Sequence, residues 1–150
     1  RGEVFQRLSE LYGLRQECRL YRALRSLWSR GEQEQALLAL LCALARDTIL
    51  RSTAVAVLEQ SEGALVPSRL LAQSIESAFP ERYTPKTLLS MSQNSAASWA
   101  QSGHLVGKLP KRRTKVVAGP ASTAYALFLG HLCGIRGATL LETCARWRSA

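Results

Sequence analysis

Five cations crowd into eight residues at Lys108, Lys111, Arg112, Arg113 and Lys115, with Pro110 among them to set a turn. Cations of this density suit phosphate. Lysine neutralises phosphate as a point charge, and arginine at a hairpin tip can enter a narrow minor groove. A second group lies just upstream. At 100° per residue, Lys86, Ser90, Gln93, Asn94 and Gln101 fall on one side of a helix. Asparagine or glutamine can make a two-point contact to an adenine edge, while serine and lysine reach phosphate. Both groups belong to a stretch, Arg82 to Leu141, that holds eight cations and no Asp or Glu. A field of one sign over so long a run favours an anionic polymer as ligand.

Catalysis finds little to build on. The two histidines, His104 and His131, both lie in the carboxylate-free stretch, so a partner to orient an imidazole or trade protons with it is lacking. His104 follows Ser102 and Gly103 and reads as a turn residue or a phosphate contact. No catalytic residue and no cofactor is expected. No metal is expected either, because His131, Cys133 and Cys144 lack the short paired spacings of structural zinc modules. Cys18, Cys42, Cys133 and Cys144 each fall in an apolar helical pattern, none at CxxC spacing. They read as buried free thiols of a protein kept in the reducing cytoplasm.

The 150 residues are 47% hydrophobic, enough to bury a core, and carry a formal net charge of +9. Acidic partners are favoured. The longest apolar runs, Ala36 to Ala45 and Ala121 to Cys133, are well short of the roughly 20 residues that span a bilayer, so no membrane partner is expected.

The elements that must position these residues read as mainly helical. Val4, Leu8, Leu11 and Tyr12 mark a stripe ending at Gly13. Cys18, Tyr21, Leu24, Leu27 and Trp28 mark another ending near Gly31. A third helix opens with acidic residues from Glu32 and runs through the apolar stretch to Ala45. Asp47 and Thr48 cap a fourth, predicted through Ile49, Leu50, Val55 and Leu58 to about Gln60. Beyond the loop at Ser61 to Gly63, Pro67 or Ser68 opens a short helix through Leu71 and Ile75 that Pro80 stops. Thr84 and Pro85 form an N-cap and first-turn pair for a helix from Lys86 to Gln101, ending at Gly103, with Leu88, Met91, Ala96 and Trp99 inward. Trp99 reads as core rather than as a platform for bases. Leu105 to Leu109 and Thr114 to Ala118 then read as arms of a hairpin whose tip is Pro110 to Arg113. Pro120 opens a helix to Leu132, and another runs from Ala138 to Arg148.

The expected fold is therefore mainly α: an N-terminal helical bundle over residues 1–62, then a winged helix-turn-helix with a short β-hairpin and closing helices over 63–150. The expected function is non-enzymatic binding of double-stranded DNA, and a homodimer would raise both affinity and specificity. A winged-helix repressor fits the same residues. So do two rival classes, an RNA-binding module and an adaptor that sets its basic face against an acidic protein. Few exposed aromatics are expected, which weighs against single-stranded RNA.

The helical stretches Tyr21 to Leu27 and Ala36 to Leu50 precede the run Arg82, Tyr83, Thr84, Pro85, Thr87, Leu88. Then come Ser98, Trp99, Gln101, Ser102, Gly103 and Leu105 with the basic hairpin. In this order the chain resembles the BrxA family of the bacteriophage-exclusion (BREX) defence islands, across nearly its whole length. The resemblance implies a small DNA-binding accessory protein of anti-phage defence, acting beside a methyltransferase and other products of the island as protein partners.

Overall fold

A computed structural model describes residues 18–139 of the chain. The predicted first stripe, Val4 to Gly13, and nearly all of the predicted last helix with Cys144, lie outside the described residues. The chain divides into two compact units. Among the described residues, one joins residues 18–47 with residues 117–139, and the other is Thr48–Val116. This differs from the expected boundary between residues 62 and 63. The fourth predicted helix belongs with the helix pair and hairpin after it, and the helix opened by Pro120 returns to the first part of the chain.

In the first unit, α1 (Arg19–Trp28), α2 (Gln35–Arg46) and α7 (Pro120–Leu132) pack on one another. Leu24, Leu38, Leu41, Cys42, Ala121 and Tyr125 form the shared core. Burial of the large side chains among them stabilises by roughly 1.5–3 kcal/mol each. Tyr125 is fully buried, and its hydroxyl donates to the Leu20 carbonyl at 3.1 Å, which satisfies the one polar atom it brings inside. Burial pushes the Tyr125 phenol well above its ordinary value, and it raises the Cys42 thiol as well.

The acidic residues expected in the first turn of α2 do something else. Glu32–Glu34 form a single 3-10 turn, and Glu34 turns away from its own helix. Its carboxylate accepts the Ala121 N–H at 3.3 Å and the Ser122 N–H at 2.8 Å, and it accepts the Ser122 hydroxyl as well. The two N–H groups are first-turn donors of α7 that have no partner within their helix, and an anion there also meets the positive end of the helix dipole. Burial acts to raise the Glu34 pKa, but the Ser122 and Ala121 hydrogen bonds outweigh it and hold the carboxyl below 4.5. Gly119 makes room for it, because a Cβ there would collide with the Glu34 carboxylate.

In the second unit, the predicted fourth helix is two short ones, α3 (Thr48–Ser52) and α4 (Ala54–Leu58), broken at Thr53. Thr53 is fully buried and its hydroxyl donates to the Leu50 carbonyl at 2.7 Å. Next come a strand that the sequence pattern does not announce, β1 (Leu65–Val66), then α5 (Ser68–Ala78) and α6 (Pro85–Gln101). The helix α6 starts as expected: Thr84 Oγ1 accepts the Thr87 N–H at 3.3 Å and Pro85 occupies the first turn. Its buried residues Ser92, Ser95 and Ala96 are small, which lets α5 pack close against it. In the turn between the two helices, the Arg82 guanidinium lies over the rings of Phe79 and Tyr83, at 5.8 and 5.6 Å from their centroids.

The strands β2 (Leu105–Val106) and β3 (Lys111–Arg113) complete a small antiparallel sheet in the order β1, β3, β2. The fold is thus mostly helical with a three-stranded antiparallel element. The hairpin arms are shorter than predicted, and the turn between them is Gly107 to Pro110 rather than Pro110 to Arg113. Gly107 takes the left-handed backbone (φ +87°) that this tight turn demands. Among the described residues, no helix is long and apolar enough to cross a membrane.

Candidate nucleic-acid interface

The outward face of α6 carries the polar residues picked out by their spacing. Lys86, Ser90, Gln93, Asn94 and Gln101 are all exposed, with Ala97 among them, while Trp99 on the opposite side is 1% exposed. The separation comes from helix geometry: with Ala96 and Trp99 fixed in the core, positions 90, 93, 94, 97 and 101 have only solvent to face. Ser98 Oγ donates to the Asn94 carbonyl at 3.3 Å, leaving the Asn94 side-chain amide out of that bond. No Asp or Glu interrupts the helix, so its surface presents donors and acceptors without a charge that would repel phosphate.

On the hairpin, Lys108, Arg112 and Lys115 are exposed and Lys111 is half-buried. Lys111 Nζ donates across the turn to the Gly107 carbonyl at 3.4 Å, and Arg112 Nη1 donates to the Gly63 carbonyl at 3.1 Å. The pairings of Arg112 with Leu65 on one side and Val106 on the other set these three side chains in one row across the outer face of the sheet. Over residues 48–116 the sequence has nine Lys and Arg against four Asp and Glu, and from Arg82 onward the carboxylates are gone.

Arg113 does not belong to this surface. It is 2% exposed, and its Nε donates to the Val57 carbonyl at 3.1 Å. Its Nη1 donates to the carbonyls of His104 and Thr114. The reason is strand alternation: Arg112 faces out, so Arg113 must face in, paired opposite the buried Leu105. Nη2 is buried without a hydrogen-bond partner among the described residues. Burial lowers the Arg113 pKa, while the nearby Glu62 charge acts in the other direction.

His104 is equally far from a phosphate contact. It is 5% exposed, with its ring edge-on to Trp99 at a centroid distance of 5.2 Å. Ser102 Oγ donates to the Trp99 carbonyl at 3.0 Å and lies 2.8 Å from His104 Nδ1. With the serine proton spent on the carbonyl, Nδ1–H of the imidazole donates the second bond. Burial, and then the Arg113 charge, push its pKa from 6.5 down to about 4. Trp99 Nε1 donates to Thr53 Oγ1 at 2.8 Å, which ties this polar cluster to the break between α3 and α4. Thr53, Trp99, Ser102, His104 and Arg113 therefore form an inner frame that holds the hairpin against α6. The apolar stripe of α6 places Trp99 in the core, but no sequence signal marks the polar partners around it.

The thiols divide as well. Cys42 is buried and Cys18 partly so, but Cys133 is exposed, and none of the three is in a disulfide. Cys133 departs from the expected buried thiol: it is the residue just past the end of α7 and is exposed there. In comparisons with family models, curated proteins and solved structures, nothing matches the chain.

Proposed function

We propose that residues 48–116 are a winged helix-turn-helix that binds double-stranded DNA without catalysis, with α5 and α6 as the helix pair and the β2–β3 hairpin as the wing. In this reading α6 enters the major groove, where Gln93 and Asn94 meet base edges and Ser90, Lys86 and Gln101 meet base or backbone. Lys108, Lys111, Arg112 and Lys115 neutralise phosphates beside it. The observation that carries the reading is the exposed, carboxylate-free face of α6 in the same unit as a hairpin whose surface cations are likewise free of acidic neighbours in sequence. Specificity is modest, because α6 offers no arginine for guanine. The resemblance to the BrxA family gives this module its setting, an accessory part in anti-phage defence with other defence proteins as partners in the cytoplasm. A repressor would use the same face on its operator.

The test is the salt dependence of duplex binding in the Lys108→Ala, Lys111→Ala, Arg112→Ala triple variant. Removing one phosphate contact flattens the slope of log K against log salt by about 0.9. Weakening on every duplex alike, with a slope flatter by about two to three units, is expected. An unchanged slope removes the wing from the interface. Gln93→Ala with Asn94→Ala should instead change the preference between duplexes; equal loss on all of them counts against base readout.

A further inference from the structure

The turn that joins β2 to β3 presents its apolar residues outward. Leu109 is 72% exposed, more than any other large aliphatic side chain within Thr48–Val116, and Pro110 beside it is also exposed. A single exposed leucine is ordinary. This one stands at the apex of a tight turn, with Lys108 before it and Lys111 and Arg112 after it, and no carboxylate within twenty-five residues on either side. Just behind the apex, Leu65 at 49% and Val106 at 46% exposure flank Arg112 on the outer face of the sheet. The hairpin is therefore apolar at its tip, cationic immediately behind it and mixed along its outer face.

That ordering matches the demands of one ligand. Between the phosphate rails of a duplex lie base pairs whose stacked faces accept an apolar wedge, and leucine and proline are among the side chains that part a base step from the minor groove. Cations on both sides of the wedge meet the rails and offset the cost of unstacking. We infer that Leu109 and Pro110 form such a wedge, inserting into the minor groove so that the protein kinks the DNA it binds. The inference rests on the duplex-binding reading above and gives the wing a mechanical role beyond charge neutralisation. Pyrimidine–purine steps unstack most easily, so a TA step in A·T-rich flanks is the favoured point of entry.

The experiment uses the full chain and a short duplex with one central TA step, 2-aminopurine beside that step, and a fluorophore pair on its ends. Binding is read by anisotropy, unstacking by 2-aminopurine emission, and bending by energy transfer. The parent protein should brighten the 2-aminopurine and bring the ends closer. Leu109→Ala, at an exposed site that leaves the circular dichroism unchanged, should lose both signals. It should bind within about tenfold of the parent and with the same salt slope, because the cations remain and the unstacking cost is no longer incurred. Binding by the parent with the 2-aminopurine still quenched and the duplex straight overturns the wedge and leaves DNA binding standing. So does a Leu109→Ala protein that bends as the parent does; the tip would then serve a different surface, such as an acidic protein. Absence of duplex binding by the parent overturns the DNA reading itself, and the wedge with it.

Discussion

Arg112 and Arg113 are chemically identical neighbours, and the sheet sends one to solvent and the other into the core. Pleating alternates side chains between faces, so a one-residue shift in register would exchange their roles. Their substitutions should differ accordingly. Arg113→Ala removes the side-chain hydrogen bonds to the Val57 and His104 carbonyls, which keep the Gln60 and Thr114 N–H groups, and empties a buried position; it should cost about 2–4 kcal/mol in urea unfolding. Arg112→Ala should stay within about 0.5 kcal/mol and weaken DNA binding instead. The reverse ranking would contradict the register. His104 adds a dependence on pH. Its folded pKa of about 4 lies below the ordinary 6.5, so the unfolded chain binds this proton first as pH falls. The stability this neutral histidine contributes is complete above about pH 6.5 and is lost progressively down to about pH 4. Denaturant midpoints measured from pH 7.5 to 4 should fall across that window, and less steeply in His104→Gln; parallel curves would rule out the buried neutral imidazole. None of this could be read from residue order, because a run of cations is the same string whether its register turns the third or the fourth inward.

Elements whose signals are local were readable in advance. Thr84 followed by Pro85 carries its own start signal, and α6 begins there; Pro120 does the same for α7. What escaped were contacts between distant positions. Thr53 breaks the predicted fourth helix while its hydroxyl serves Trp99, forty-six residues away. Leu65 and Val66 are too short a run to announce a strand, and only pairing with β3 makes them one. Glu34 read as a first-turn acid of its own helix, yet it caps a helix eighty-seven residues further on. That cap yields a prediction for the first unit. Glu34→Ala should destabilise it by about 1–2 kcal/mol. Gly119→Ala should cost no more than that, since its Cβ meets only the end of the flexible Glu34 side chain and at worst undoes the same cap. Thermal unfolding followed by circular dichroism compares the two; a Gly119→Ala loss larger than that of Glu34→Ala would contradict this.

At the scale of the whole molecule, exposure divides the cations that the sequence groups together, with Arg113 buried in the core. Of the hairpin cations, Lys108, Arg112 and Lys115 are exposed and Lys111 is half-buried, and the outward residues of α6 fall where a 100° repeat put them. The division into units was less readable, because the chain leaves the helical unit at Asp47 and returns at Val117, and nothing in composition marks either crossing. A unit spanning Thr48–Val116 with its own interior, from Leu50 to Leu105, is large enough to carry a binding function by itself. The function proposed for it is recognition of duplex DNA. Fluorescence anisotropy of the purified chain against a labelled duplex and a labelled single-stranded RNA, each at two salt concentrations, puts that proposal at stake. Duplex binding should be tighter than RNA binding and should fall steeply with salt. Binding to neither at the lower salt, or a preference for the single strand, would contradict it.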